Sequence, residues 1–141
     1  MSKNIFVINI HPSFSRKRIP LPTEVGRFLL AVLIEHKKRF VIAGDSVQYG
    51  PIYMFGGHRN IKEYRDSMSK LMQYVHDVDI IYASHHELNM KPQAIEELFF
   101  CADDILHGRL PAPLDAPAHL PKNVKLYRYG DYSFYLNSER L

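Results

Sequence analysis

The sequence has little of the residue types that would assign it to several classes of protein. A single cysteine, Cys101, cannot form a disulfide within the chain, which is typical of proteins from a reducing compartment. No apolar run reaches the roughly 18 residues that span a bilayer, and residues 1–10 are strand-like and too short for a signal peptide. Lys and Arg, 18 in number, barely exceed the 15 Asp and Glu, so charge alone does not favour a nucleic acid as partner. We therefore expect a cytoplasmic protein.

Length and aromatic content allow one domain with a substantial core. The chain has 141 residues, 46% of them hydrophobic, which is enough for a single buried core. Tryptophan is absent, but nine Tyr and eight Phe provide aromatic volume for packing. No internal repeat and no linker divides the sequence, so we expect one domain over residues 1–141.

Two apolar runs predict parallel strands with a helix between them. Residues 40–43 and 78–82 are apolar enough to be buried strands. Apolar residues recur at helical spacing after Asn60, which is a good N-cap. A strand, a helix and a second strand form a βαβ unit, in which both strands run the same way. Asp45 and His85 follow these strands, so we expect both at one edge of the sheet.

The rest of the sequence predicts an α/β fold with one mixed β-sheet and two helices. Patterning indicates strands at 5–10 and 27–34, a second helix from Pro92 to Gly108, and a hairpin of strands at 124–129 and 132–136. Residues 46–59 combine glycines with large apolar side chains and lack periodicity. We expect that segment to be a loop that folds back onto the core or onto a ligand.

A carboxylate and an imidazole at one sheet edge are suitable ligands for a divalent metal ion. Two such ligands are too few for a catalytic zinc ion, which usually has about three protein ligands and a water. Asp45 could instead stabilise the turn after its strand. His85 and His86 are adjacent, so we expect one of them to face the site and the other to turn away.

The segments 40–60 and 80–88 resemble the corresponding segments of metallo-β-lactamase-fold hydrolases, and residues 124–136 resemble the closing hairpin of one subgroup. The match covers about residues 19–136 and corresponds to the C-terminal half of the family's domain. The resemblance implies the second half of an αββα sandwich. It also implies that Asp45 bridges two metal ions and that His85 ligates one of them, with zinc or another divalent metal activating water for hydrolysis.

The sequence departs from this family in its other metal ligands. The motif His-x-His-x-Asp-His is absent, and residues 22–26 contain no histidine where the family has Gly-His-Thr. Family domains are longer, so the resemblance implies a truncated, partial domain, and residues 1–18 match no part of the family. We therefore expect metal binding by the isolated chain to be weak or absent and the chain to be catalytically incomplete.

The predicted loop also carries candidate substrate-binding residues. Tyr53, His58 and Arg59 would lie over the site, where Arg59 or His58 could meet an anionic group. The same residues could instead provide packing and an exposed basic pair.

Three functions remain open at this point. The chain could be a metal-dependent hydrolase completed by another chain, a non-catalytic binding or interaction module, or an anion- or nucleic-acid-binding protein that uses basic turns at 16–18 and 36–39. Strands that are apolar on both faces favour association as a homodimer or with a complementing chain. A small-molecule substrate is expected if the chain is active, whereas neither a membrane nor a nucleic acid is favoured as a partner.

Overall fold

The computed structural model describes residues 4–9, 29–35 and 38–141, with side chains from Phe40 onward. The elements are, in chain order, strands β1 (Asn4–Asn9), β2 (Leu29–Glu35), β3 (Lys38–Gly44) and β4 (Gly50–Tyr53), helix α1 (Ile61–Met72), strands β5 (Ile80–Ala83) and β6 (Asn89–Met90), helix α2 (Ala94–Leu106), and strands β7 (Leu114–Asp115), β8 (Val124–Tyr129) and β9 (Tyr132–Asn137). The predictions for the segment 22–26 and the basic turn at 16–18 lie outside the described residues. The structure is mixed α/β with two helices, as predicted.

The first sheet contains the predicted parallel pair. Its strand order is β1-β2-β3-β5-β6, and only the β3–β5 pairing is parallel. Helix α1 lies between β3 and β5 in the chain, which completes the βαβ unit. The predicted antiparallel hairpin of β2 and β3 is also present.

A second sheet corrects the expectation of a single sheet layer. Its strand order is β4-β9-β8-β7, with β4 parallel to β9 and the other pairs antiparallel. Residues 50–53, which were predicted as loop, form β4 at the edge of this sheet. Four residues that include Gly50 and Pro51 are too few to show an alternating pattern, and an edge strand tolerates proline's missing N–H. The predicted hairpin of β8 and β9 supplies the centre of the sheet.

Helix α1 begins where the sequence predicts. The Asn60 side chain accepts hydrogen bonds from the backbone N–H groups of Lys62 and Glu63, at 2.8 and 3.3 Å. These contacts satisfy donors that have no partner within the helix. The helix ends at Met72, and the chain continues into a 3₁₀ turn at Val75–Asp77.

Helix α2 ends in a Schellman motif at Gly108, as its glycine suggested. Gly108 has a φ of +63°, its N–H donates to Ile105, and the N–H of Arg109 donates to the carbonyl of Asp104. The helix starts at Ala94 and not at Pro92. The carbonyls of Lys91 and Pro92 accept hydrogen bonds from the N–H groups three residues later, which form turns before the helix. Among the described residues, no helix is both long and apolar enough to cross a membrane.

One apolar cluster takes side chains from both sheets and both helices. In the parallel pair, Val41 and Ile81 belong to this cluster and are 2% and 0% exposed. Their neighbours Ile42 and Tyr82 are 44% and 38% exposed, so successive residues face opposite sides of the sheet. The face that carries Ile42 and Tyr82 is therefore an apolar surface open to solvent at these positions.

Candidate functional site

The carboxyl ends of β3 and β5 bring Asp45 and His85 together. A carboxylate oxygen of Asp45, Oδ1, lies 3.2 Å from Nε2 of His85. The two strand ends are joined because the N–H of Ser84 donates to the carbonyl of Gly44 at 3.1 Å. Both side chains are largely exposed, so the pair is accessible from solvent. The sequence prediction that these residues share one edge of the sheet is confirmed.

The turn that carries Asp45 is hydrogen-bonded to helix α1. The N–H of Ser46 donates to the carbonyl of Ala43 at 3.1 Å, and the buried Tyr64 hydroxyl donates to the carbonyl of Ser46 at 2.7 Å. Burial raises the pKa of Tyr64 well above its usual value, with a smaller contribution from Cys101. Tyr64 therefore stays protonated and remains a hydrogen-bond donor to this turn.

His86 turns away from the pair and packs against Gly50. Its φ is +63°, a left-handed conformation that is uncommon outside glycine. Gly50 has a φ of +77°, and a Cβ atom built there would lie 2.7 Å from Nε2 of His86. A side chain at position 50 would thus meet both backbone strain and the imidazole ring. Gly50 therefore allows the backbone to pass close to His86.

Asp45 and His85 open into a cleft of about 920 Å³ between the strand ends and the loop before α1. All three predicted substrate-binding residues, Tyr53, His58 and Arg59, line this same cleft. Its other lining residues are Ile42, Ala43, Gly44, Ser46, Gln48, Ile52, Phe55, Gly56, Gly57, Asn60 and Glu63. The structure therefore places the five residues singled out from the sequence around one cavity.

Arg59 closes the loop that forms one side of the cleft. Its guanidinium group donates to the carbonyl of Tyr53, and its backbone N–H donates to the carbonyl of Gly56 at 2.9 Å. The side chain is exposed, and in the described part of the chain no carboxylate pairs with it. The remaining guanidinium N–H groups are thus available to an anion.

Gln48 is a lining residue that the sequence did not single out. It is only 4% exposed, and its Nε2 donates to the carbonyl of Pro51 at 3.2 Å. Its Oε1 is buried and has no hydrogen-bond partner among the described residues. Buried polar atoms are nearly always paired, so this unpaired oxygen is unfavourable. A glutamine in an irregular segment gives no sequence signal of burial.

The chemistry of Asp45 and His85 suits a divalent cation, but their number does not complete a catalytic site. A carboxylate oxygen and an imidazole nitrogen are both common ligands of zinc and related metals. Within the described ranges, no group of three or more His, Cys, Asp or Glu residues could hold a metal ion. The pair can therefore contribute part of a coordination shell, with the other positions left to water or to groups from elsewhere.

Cys101 lies in the core and is unsuited to nucleophilic chemistry. The residue is fully buried in α2, and burial, followed by the charge of Asp104, raises the pKa of its thiol from 9.0 to about 12. The thiolate is the reactive form, so this side chain is inert near neutral pH. This environment is that of a packing residue in the core.

Comparison of the sequence with protein-family models gave no match, and comparison with curated proteins gave none either. The resemblance to metallo-β-lactamase-fold hydrolases therefore rests on the residues that carry it, and it enters below as a proposal.

Proposed function

We propose that this chain is a metallo-β-lactamase-fold, hydrolase-like protein whose cleft provides part of a divalent-metal site. Asp45 and His85 are the proposed ligands. The observation that carries the proposal is the 3.2 Å approach of Asp45 Oδ1 to His85 Nε2. The two side chains project from the carboxyl ends of neighbouring parallel strands, which is where open α/β sheets bind ligands.

A metal bound at such a site lowers the pKa of a bound water and polarises an electrophile. The chain's own residues would hold and orient the reactants. Asp45 and His85 supply oxygen and nitrogen ligands, and the Tyr64 hydroxyl fixes the turn from which Asp45 projects. Tyr53 lines the cleft, and Arg59 presents a positive charge to an anionic part of the substrate.

We propose that the isolated chain is catalytically incomplete and that a second copy or a complementing chain supplies the other ligands. The histidine-rich motif of the family is absent from the sequence, and two ligands give little binding free energy. Ile42 supports this assembly because it both lines the cleft and lies on the exposed apolar face that includes Tyr82. A chain packed on that face would reach the edge of the cleft.

Zinc titration of the metal-free chain by calorimetry tests the proposal, with the oligomeric state measured by analytical ultracentrifugation in parallel. We expect weak, substoichiometric binding and no appreciable hydrolysis of esters, thioesters or β-lactams by the monomer. Hydrolysis that disappears with a chelator and returns with zinc would contradict the proposed incompleteness. Zinc binding that persists in both Asp45→Ala and His85→Ala would contradict the proposed ligands.

A non-catalytic binding module is the second candidate function. The observation that favours it is the exposed Arg59, without a carboxylate partner among the described residues, in the wall of a cleft of about 920 Å³. A ligand could occupy that cleft without any reaction taking place. Ligand binding by the metal-free chain, with no turnover after zinc and a partner are added, would favour this candidate.

A further inference from the structure

We infer that Gln48, Pro51 and Arg59 close the outer edge of strand β4 to the addition of another strand. The second sheet ends at β4, and the backbone groups on the outer side of an edge strand are normally free to pair with a second chain. The inference goes beyond the proposed function because it concerns where another chain can attach. It depends on neither a metal ion nor a ligand.

The pairing of β4 with β9 shows which backbone groups of β4 face outward. The N–H of Gly50, at the start of β4, and the N–H of Met54, just after its end, donate to carbonyls in or next to β9 at 3.0 and 2.8 Å. In a parallel pair, alternate residues of a strand form the bonds to one neighbour. Pro51 and Tyr53, which alternate with these residues, therefore direct their backbone groups to the outer side.

Three of the four backbone groups that these two residues could present to a new strand are unavailable. Proline has no N–H, so Pro51 cannot donate. The carbonyl of Pro51 accepts a hydrogen bond from Nε2 of Gln48 at 3.2 Å, and the carbonyl of Tyr53 accepts one from the guanidinium group of Arg59. The N–H of Tyr53 is the remaining outward group of β4, and a single hydrogen bond holds a strand only weakly.

The two side chains that bind these carbonyls come from opposite ends of β4 and differ in exposure. Gln48 precedes the strand and is only 4% exposed, so an approaching chain cannot readily displace it. Arg59 follows the strand and is exposed, and its long side chain reaches back to the carbonyl of Tyr53. A strand that approaches β4 would have to displace Arg59, which breaks a charge-assisted hydrogen bond.

The opposite edge of the same sheet is protected by other means. Strand β7 has only two residues, Leu114 and Asp115, and prolines stand close by at positions 113 and 117. Asp115 places a charge at this edge and pairs with Lys125 at 2.6 Å. Short strands, charges and prolines all prevent edges from pairing. Both edges of the second sheet thus resist strand addition, so we expect a partner chain to attach elsewhere.

An open-edge variant of the full-length chain tests the inference by combining Gln48→Met, Pro51→Val and Arg59→Met. It removes both side-chain donors and provides the N–H that proline lacks. We expect sedimentation velocity to show self-association at least about tenfold tighter than that of the wild type, because two or three backbone hydrogen bonds can form between chains. Circular dichroism verifies that the variant is folded.

A matched control makes the same three types of substitution at exposed positions away from β4: Gln73→Met, Pro111→Val and Arg128→Met. This control variant should associate as the wild type does. An equal increase in the open-edge variant and in the control would overturn the inference, because general stickiness would then explain both.

Amide hydrogen exchange, followed by NMR, assigns the association to this edge. In the wild type the N–H of Tyr53 should exchange rapidly, because it faces outward from an edge strand. In the open-edge variant the N–H groups at positions 51 and 53 should become protected as the protein concentration rises. Association without protection at these two positions would mean that the chains meet through another surface and would overturn the inference.

A single substitution decides the matter even if the open-edge variant does not fold. Arg59→Met changes one exposed residue and frees the carbonyl of Tyr53. We expect it to associate about three- to tenfold more tightly than Arg128→Met, which removes the same charge elsewhere. Equal association of these two variants, or slow exchange of the Tyr53 N–H in the wild type, would contradict the inference. Zinc binding has no bearing on these outcomes, so the proposed function is tested separately.

Discussion

Two contacts between a carboxylate and a histidine in the described part of the chain differ in what surrounds them. Asp45 Oδ1 and His85 Nε2 are 3.2 Å apart at the mouth of the cleft. Asp103 Oδ2 and His107 Nδ1 are 3.4 Å apart at the end of α2. The same two residue types, at nearly the same separation, thus occur once at a cavity and once at a helix terminus.

In the second pair, both carboxylate oxygens of Asp103 also accept hydrogen bonds from arginines. Asp103 accepts hydrogen bonds from Arg65 of α1 at 3.1 Å and from Arg109 at 2.5 Å, while Arg109 also binds Asp104 at 2.6 Å. The hydrogen bond from Arg109 is the main reason that the pKa of Asp103 is lowered, and the charges of His107 and Arg109 add to it. This network ties α1 to α2.

The first pair has no such arginine among the described residues and opens into a cavity. A carboxylate that is already bound to two guanidinium groups stabilises structure, whereas one that shares only an imidazole can still bind a cation. The other partners that a carboxylate already binds, more than its distance from the histidine, therefore distinguish a candidate site from a structural contact.

The largest expected effect is on zinc binding. We expect Asp45→Ala and His85→Ala each to weaken zinc binding by at least about tenfold, because each removes one of two protein ligands. Asp103→Ala and His107→Ala should bind zinc as the wild type does. Calorimetry on all four variants measures the difference, and equal losses from both pairs would show that the comparison between them is wrong.

The next effect concerns Gly50, the glycine that lies against the His86 ring. We expect Gly50→Ala to lower the free energy of unfolding by about 1–3 kcal/mol. Alanine would be strained at the positive φ of this position, and its Cβ would clash with His86. Gly57→Ala, where no atom lies within 4 Å of the added Cβ, should change it by less than about 0.5 kcal/mol. Urea unfolding provides the measurement. A neutral Gly50→Ala would mean that the strand end which carries His85 tolerates a shift.

A smaller stability effect should separate the two carboxylates. We expect Asp103→Ala to cost about 1 kcal/mol, because it removes charge-assisted bonds to two arginines on a partly exposed surface. Asp45→Ala should cost less than about 0.5 kcal/mol, because its side chain is largely exposed. A larger cost for Asp45→Ala in the same unfolding experiment would indicate that the Asp45 pair is structural after all.

The smallest effect is a dependence on acid pH. The pKa of Asp103 in the folded state lies below its ordinary value of 3.8, so the folded state binds fewer protons than the unfolded state around that pH. The stability that this group contributes is present above its ordinary pKa and is lost as the pH falls through the folded value. Asp103→Asn should therefore lose less stability than the wild type between about pH 6 and about pH 3. Parallel pH curves for the two proteins would contradict the proposed role of Arg109.

The sequence predicted the elements whose signals are local. Asn60 marks the start of α1, Gly108 marks the end of α2, and the short turn at Gly130 marks the β8–β9 hairpin, because capping and turn geometry depend on a few neighbouring residues. The order of strand, helix and strand was also sufficient to place Asp45 beside His85.

The second sheet and the burial of Gln48 could not be predicted in this way. Strand β4 has four residues and pairs with a strand near the other end of the described chain, so neither its length nor its neighbours reveal it. Gln48, which is buried, lies in the segment that this pairing folds against the core. The wall of the cleft thus depends on pairing between strands that are distant in sequence. The positions of Asp45 and His85 follow instead from the order of neighbouring elements.

The pairing of β4 with β9 has a consequence for the order in which the cleft is assembled. Ile52 and Tyr53 line the cleft from β4, and their partners in the register are Phe134 and Tyr135. A chain that emerges from the ribosome can pair β3 with β5 long before β9 is available, since contacts distant in sequence close late. Asp45 and His85 would then meet first on an open surface, and the cleft wall that β4 supplies would be added last.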